Sequence, residues 1–166
     1  MEKKEEIISN KIKYIKLENY KVSDGEHTAI PRNSNGGIRY LYGRNIWEGC
    51  VDFDPISDVQ YIDKEDYYRI KRIHLTENDV LIPIVGTIGK SAIYKKEYIG
   101  IAGIPRHIAH ISIKENEKIT PEYLSVFFRS KYGKVQLYSL TTGNIQPLLS
   151  LTNLKQVDIP ILSKDV

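Results

Sequence analysis

A strand–turn–strand pattern at residues 79–94 constrains the fold of this 166-residue chain more than any other segment. Its sequence, DVLIPIVGTIGKSAIY, contains an apolar run of strand length, two glycines (Gly86 and Gly89) and a second apolar run. Two such runs around a glycine-containing loop are typical of a β-hairpin, and a tight turn needs the positive φ that glycine adopts without strain. The pattern therefore predicts a hairpin with Lys90 at its tip.

The letters GTIGKS in this segment also resemble a nucleotide-binding phosphate loop, but the spacing excludes one. A phosphate loop requires a glycine five positions before the glycine that precedes the lysine, because its whole backbone wraps around the phosphates. The residue at that position is Ile84, and a strand follows where a helix would be needed. Nucleotide binding by this loop is not expected.

Further strands are predicted where apolar and polar residues alternate or where β-branched and aromatic residues cluster, because such residues suit a half-buried pleated surface. Turns are predicted between Val22 and Gly37, a stretch that contains the breakers Asp24-Gly25 and Pro31. The predicted strands comprise residues 12–17, 38–42, 58–62, 98–101, 107–113 and 157–161.

Three helices are predicted after residue 63. Residues 64–73 have apolar side chains at helical spacing. A longer helix is expected to begin at Pro121, after a threonine N-cap, to end near Gly133 and to continue in further turns to about Leu140. A short helix is expected after a cap at Ser150.

These elements predict one mixed α/β domain of the strand-rich α+β kind, with a twisted sheet, hairpins and a few short helices. The domain is expected to span residues 12–162, after a polar N-terminal helix or spacer remnant at residues 1–11. The single Cys50 excludes a disulfide framework, and no apolar run reaches the roughly 18 residues of a membrane span. The charged N-terminus lacks the apolar stretch of a signal peptide, so a cytoplasmic protein is expected.

Basic residues are concentrated in the second half of the chain. The formal net charge is +3 overall, −2 over residues 1–80 and +5 over residues 81–166. A mild basic excess of this size is compatible with a polyanionic partner but does not identify one.

The chain lacks the residue patterns of several enzyme classes. A restriction-type nuclease core needs an acidic residue two positions before a lysine on a strand, with an upstream aspartate; Glu2-x-Lys4 lies at the terminus without one. No Asn-Pro-Pro-aromatic loop of an amino-methyltransferase and no glycine-flanked nucleophilic serine occur. His107 and His110 lie three residues apart in an extended segment and so point to opposite faces, unlike zinc ligands on one helix. No catalytic residue, metal ion or cofactor is therefore expected.

The residues leave two functions open at this point. Asp24, Glu26 and His27 lie close together in the chain and could form a His/carboxylate site of a small hydrolase or nuclease. Alternatively, the 12 tyrosines could form the surface of a protein-interaction module.

Four motifs, in order, resemble the target recognition domain of the type I restriction–modification DNA specificity (S) subunit. The first is the strand YIKLENY with the Gly/Pro loop after it, and the second is GGIRYLYGRNIWEG at residues 36–49. The third is NDVLIPIVGTIGKSAI at residues 78–93. The fourth is the closing segment at residues 120–161, with its Gly-x-x-Gln stretch and a final strand ending in Ile-Pro.

The resemblance implies a sequence-specific double-stranded DNA-binding domain that is not itself an enzyme. It further implies, as partners, the methyltransferase (modification) subunit and the restriction subunit, whose adenine methyltransferase would be directed to its site. A complete specificity subunit resembles two such domains joined by long helices. The chain would then be an excised domain, a half-length subunit that acts with a second recognition domain or as a homodimer, or part of a related type II methyltransferase.

Candidate DNA contacts are predicted on loops, because base edges in the major groove are read by forked donors and acceptors that must protrude from the protein. Lys90 at the hairpin tip is expected to bind a phosphate. The full set comprises Arg32, Asn33, Asn35, Arg44, Asn45, Lys90, Arg106, His107, Thr142, Asn144 and Gln146.

Overall fold

Ten strands and five α-helices form the part of the chain that this computed structural model describes, residues 12–53, 59–115, 117–143 and 145–161. The predicted mixed α/β class is confirmed, and the predicted helix at residues 1–11 lies outside the described residues. The strands are β1 (Lys13–Lys16), β2 (Lys21–Asp24), β3 (Ile38–Tyr40), β4 (Glu48–Gly49), β5 (Gln60–Ile62), β6 (Val80–Pro83), β7 (Ser91–Ile93), β8 (Ala102–Gly103), β9 (Ile108–Ser112) and β10 (Asp158–Ile161). The helices are α1 (Lys64–Arg69), α2 (Lys96–Ile99), α3 (Pro121–Arg129), α4 (Lys131–Ser139) and α5 (Leu151–Leu154).

A five-stranded sheet in the order β2–β9–β6–β7–β4 forms the centre of the fold. Its neighbouring strands are antiparallel except for β4 and β7, which are parallel. The register therefore places the C-terminal ends of β2 and β6 and the N-terminal ends of β9, β7 and β4 at one end of the sheet. We call this the loop end, and it consists of residues 25–32, 43–47, 84–90 and 104–107.

Two smaller sheets flank the central one. β1 pairs antiparallel with β10, and β3 lies between β5 and β8. No described helix combines the length and the apolar character that a bilayer-spanning segment needs.

Apolar clusters cover both faces of the central sheet, which explains why β6 is buried along its whole length. Val80 and Ile82 belong to one cluster, together with Phe128 of α3. Leu81 belongs to a second cluster on the other face, together with Ile104. A strand buried on both faces has a continuous apolar sequence, as in the predicted hairpin.

The predicted hairpin is confirmed. β6 and β7 pair antiparallel, with Val80 opposite Ile93. Gly86 and Gly89 in the connecting loop have φ of 78° and 89°, the region that favours glycine.

The long helix predicted from Pro121 is wrong in its extent, because the chain breaks it into α3 and α4. Ser130 has an extended backbone (φ −67°, ψ 160°), and its hydroxyl accepts a hydrogen bond from the Gly133 amide. Gly133 thus lies inside α4 instead of ending a helix. A Cβ at Gly133 would lie 2.0 Å from the Phe127 carbonyl oxygen, so the close approach of the two helices requires glycine.

One turn prediction and one strand prediction are also wrong. The turn-rich stretch predicted from Val22 begins instead with β2, whose residues up to Asp24 pair with β9. The strand predicted at residues 98–101 is replaced by the end of α2 and the start of β8. Gly100, with φ of 74°, caps the C-terminus of α2. One helical turn is enough to bury Ile99, and local alternation does not distinguish such a turn from a short strand.

Candidate nucleic-acid interface

Two adjoining cavities open at the loop end. The smaller, of about 280 Å³, lies between residues 26–32 and residues 105–107. The larger, of about 680 Å³, extends from Arg72 to residues 146–151. Three residues line both cavities, so the two form one continuous depression. They are His27, Arg106 and His107.

This depression brings together residues that are far apart in the chain. Four of the predicted DNA contacts line it, and they come from three separate loops. They are Arg32, Arg106, His107 and Gln146.

Tyr42 holds two of the predicted arginines next to the depression. The guanidinium carbons of Arg32 and Arg44 lie 5.6 Å and 4.8 Å from the centre of its ring, within the range of cation–π contacts. Arg32 also donates a hydrogen bond to the Tyr42 hydroxyl. The Tyr42 ring packs edge-to-face on Tyr40, whose burial raises its pKa to about 12. The two guanidinium groups are thus held by a partly buried aromatic pair.

The predicted asparagines hydrogen-bond within the loops that carry these arginines. The Asn45 side chain accepts from the Tyr42 amide and donates to the Asp52 carbonyl, both at 2.9 Å, and only 8% of the residue is exposed. The Asn33 side-chain oxygen accepts from the Asn35 amide at 2.9 Å. Asparagine is typical of such turns because its side chain can bond to nearby backbone.

Lys90 lies beside Trp47, which the sequence analysis did not single out. The Lys90 ammonium nitrogen is 3.7 Å from the centre of the Trp47 ring, and about half of Trp47 is exposed. The prediction that Lys90 lies at the tip of the hairpin is wrong, because it is the last residue of the loop and directly precedes β7. Trp47 directly precedes β4 at the same end of the sheet. The contact therefore extends the basic surface from the depression to the edge of the sheet.

The segment at residues 142–149 reaches the loop end by pairing with the hairpin loop. Gly86 donates to the Pro147 carbonyl at 3.0 Å, and Leu149 donates to the Ile84 carbonyl at 2.8 Å. These bonds place Gln146 beside Gly86 at the rim of the larger cavity. The predicted contacts Thr142, whose backbone pairs with Leu148, and Asn144 belong to this segment, but Asn144 lies outside the described residues.

Asp24 is the centre of an ion network that sequence reasoning only partly found. Its carboxylate accepts from Arg72 and lies 2.9 Å from the His27 Nε2 atom. Arg72 also donates through Nε to the Gly25 carbonyl at 2.9 Å. No local sequence signal pairs Arg72 with a carboxylate 48 positions earlier in the chain.

The Glu26 carboxylate is used within its own loop. One of its oxygens accepts from the Thr28 amide, the Thr28 hydroxyl and the His27 amide at 2.7–2.9 Å, and these bonds lower the pKa of Glu26. The carboxylates of Asp24 and Glu26 thus both act as hydrogen-bond acceptors that shape the loop. In the described part of the chain, no three His, Cys, Asp or Glu residues are arranged to hold a metal ion.

The surroundings of His107 favour its neutral form. Partial burial, together with the charges of Arg106 and Arg32, lowers its pKa below the ordinary value of 6.5. A neutral imidazole carries one donor and one acceptor nitrogen, so it can bond to either kind of group on a base edge.

The comparisons with known proteins agree with the family predicted from the four motifs. No protein-family model matches the chain. The type I restriction enzyme EcoBI specificity subunit of Escherichia coli is 30% identical over 127 residues, which are 76% of this chain and 26% of that protein. The chain is a relative of the type I specificity subunits.

Solved structures of specificity subunits have the same fold at low sequence identity. The S subunit from M. genitalium superposes with a TM-score of 0.58 over 94% of this chain and 36% of its own, at 12% identity. The HsdS subunit from Thermoanaerobacter tengcongensis superposes with a TM-score of 0.62 over 90% of this chain and 33% of its own, also at 12% identity. A chain solved in work on complex assembly of the type I R-M system superposes with a TM-score of 0.64 over 90% of this chain and 34% of its own, again at 12% identity.

This chain spans about a quarter of the curated relative and about a third of each solved structure.

Proposed function

We propose that this domain binds double-stranded DNA sequence-specifically, as a target recognition domain of a restriction–modification system. The observation that carries the proposal is the convergence of Arg32, Arg44, Arg106 and Gln146 at the loop end of a domain related to type I specificity subunits. Arginine is suited to bidentate bonding with guanine, and glutamine to bidentate bonding with adenine.

In this proposal the loop-end residues have two roles. Arg32, Arg44, Arg106, His107 and Gln146 contact base edges, whereas Lys90 holds a phosphate from the edge of the sheet. Phosphate contacts set the register of the protein on the duplex, and base contacts determine which sequence is bound. The remaining candidates shape the loops or contact DNA from beside these residues: Asn33, Asn35, Asn45, Thr142 and Asn144.

The proposed domain of residues 12–162 supplies recognition without a cofactor of its own. Methylation and cleavage would come from a modification (methyltransferase) subunit and a restriction subunit in the cytoplasm. A bipartite DNA site would require a second recognition domain, either on the same polypeptide or on a second copy of this chain.

Binding of the 166-residue chain to duplex DNA should be weak and should depend strongly on salt. With about three to five phosphate contacts, the slope of log K against log salt should be roughly −2.7 to −4.5. Affinity should therefore fall by about 50- to 500-fold between 50 mM and 200 mM salt. Fluorescence anisotropy titrations with a labelled random-sequence duplex measure both quantities. An affinity that does not change with salt would contradict the proposal.

Replacing Arg44 and Lys90 separately should distinguish base contacts from phosphate contacts. Arg44→Ala should relax the preference at one base pair by about 1–3 kcal/mol. Lys90→Ala should weaken binding to all duplexes alike and make the salt slope shallower by roughly 0.9. Selection from a random duplex library, followed by titration of selected and unselected duplexes, measures both effects.

The matched control for these variants is Lys96→Ala, which removes an exposed lysine of α2 at the opposite end of β7. It should leave preference and affinity unchanged. If Arg44→Ala lowers affinity for every duplex in parallel, Arg44 holds a phosphate and its role as a base contact is wrong.

A further inference from the structure

We infer that Arg72, held by the buried Asp24, forms a binding site for a DNA backbone phosphate in the larger cavity. The inference rests on the proposed function. The contacts of the loop residues would be joined by one from Arg72, in the turn after α1. This phosphate contact would not depend on the base sequence.

The Arg72 guanidinium is fixed before any ligand arrives. It donates to the Asp24 carboxylate and, through Nε, to the Gly25 carbonyl at 2.9 Å. The turn that carries it, Lys71–Ile73, is held by Ile73, which is fully buried in the cluster between α1 and the three-stranded sheet. An arginine that is already ordered loses little conformational entropy on binding.

The backbone on the other side of the site is equally constrained. A Cβ at Gly25 would lie 1.9 Å from the Ile104 carbonyl oxygen, so these two segments are in direct contact. Arg106 then donates its amide to the Glu26 carbonyl at 3.1 Å. This contact holds the backbone of Arg106 next to the loop that carries His27 and beside the same cavity as Arg72.

The lining of the larger cavity carries a net positive charge. The described residues that line it include two arginines, Arg72 and Arg106, and one carboxylate, Asp24, which is 5% exposed. The two arginines and the one carboxylate therefore leave the lining with one unbalanced positive charge. One additional anion with a single negative charge, such as a phosphodiester, would balance it.

The groups that face the cavity have the chemistry of a phosphate site. A guanidinium has five N–H donors and no acceptor; Arg72 directs three of them to Asp24, to Gly25 and, at 3.4 Å, to the His27 Nε2 atom, which leaves the two on Nη1. A donor-only group suits phosphate oxygens, which only accept. The apolar part of the lining can pack against the deoxyribose next to the phosphate; it includes Ile84, Val85, Leu148 and Leu149.

The experiment uses the 166-residue chain and two duplexes, one selected from a random library by the chain itself and one unselected. Arg72→Gln should weaken binding to both duplexes by the same factor, about eight-fold at 0.1 M salt, with a salt slope shallower by roughly 0.9. Arg72→Lys should restore the slope because it restores the charge, and it keeps the variant testable if Arg72→Gln folds poorly. Thermal unfolding of each variant, followed by circular dichroism, reports folding separately from binding.

The matched control is Arg69→Gln, three positions earlier on α1. Arg69 is an exposed partner of Asp66 and does not line either cavity. Its replacement by glutamine changes the net charge by the same amount as Arg72→Gln. It should leave affinity and slope unchanged.

Three results would overturn the inference or the proposal beneath it. If Arg72→Gln weakens binding to the selected duplex alone, Arg72 contacts a base and the phosphate site is wrong. If Arg72→Gln has no effect while Arg106→Ala weakens binding, the site is wrong and the proposed function stands. If the unmodified chain binds neither duplex at low salt, the proposed function itself fails.

Discussion

Asp79→Ala is expected to lower the free energy of unfolding by about 2–5 kcal/mol, because it removes an acceptor shared by several groups and each buried group left unsatisfied costs about 1–3 kcal/mol. Asp79 and His110 are almost completely buried at the end of the central sheet opposite to the loop end. The Asp79 carboxylate lies 2.9 Å from the His110 Nδ1 atom and accepts from Ser112 at 2.6 Å and from the Thr76 amide at 2.9 Å. Without Asp79, the buried His110 side chain, the half-buried Ser112 hydroxyl and the Thr76 amide lose a hydrogen-bond partner. Because small domains have only about 5–15 kcal/mol of stability, urea denaturation should show a large shift.

The control for this variant is Asp158→Ala. Asp158 pairs with Lys16 at 3.1 Å on the surface, with both side chains about half exposed, so its loss should cost at most about 1 kcal/mol. If Asp79→Ala costs no more than this control, the buried network contributes little and the interpretation is wrong.

The same network should make stability depend on acid. Burial acts to raise the pKa of Asp79, but the hydrogen bonds from His110, Ser112 and Thr76 outweigh it and lower the pKa below the ordinary value of 3.8. A folded-state pKa below the unfolded value stabilises the protein above that unfolded value, and this contribution is lost as the pH falls through the folded-state pKa. Stability should therefore decline below about pH 4. The decline should be smaller in Asp79→Ala, which denaturation between about pH 7 and pH 3 measures.

Replacing Arg32, Arg44 and Arg106 together by alanine is expected to lower the affinity for selected duplex DNA by more than about 100-fold. On the proposed function each arginine contributes at least about 1 kcal/mol, and about 1.4 kcal/mol corresponds to a factor of ten. All three side chains are exposed at the loop end, and their substitution leaves the apolar clusters of the core intact. Anisotropy titrations, with circular dichroism to verify folding, measure the loss.

The matched control removes three lysines at the opposite end of the central sheet, Lys96, Lys114 and Lys118. It changes the net charge equally and therefore tests whether position matters as well as charge. Its affinity should fall much less than that of the arginine variant. Equal losses for the two variants would mean that binding follows net charge alone and that the loop end is not the DNA-binding face.

Local sequence determined those elements whose cause lies within a few residues. Two glycines and two apolar runs are sufficient for the β6–β7 hairpin, and Thr120 with Pro121 is sufficient for the start of α3, where the threonine hydroxyl caps the helix. The order of four short motifs also indicated the similarity to type I specificity subunits. The residues of the candidate site were found on loops for a similar reason, because forked polar side chains beside glycine and proline indicate exposed turns.

Only the tertiary structure decided which of these loops meet and which side chains are free to contact a ligand. The loop end exists because distant strands pair side by side, and Arg72 joins it through Asp24, 48 residues away. The break between α3 and α4 likewise depends on the contact of Gly133 with the Phe127 carbonyl, where the pattern favoured a longer helix. The physical reason is the same in each case. Turn and cap preferences act between neighbours in the chain, whereas strand pairing, ion pairs and close helix contacts depend on groups that only folding brings together.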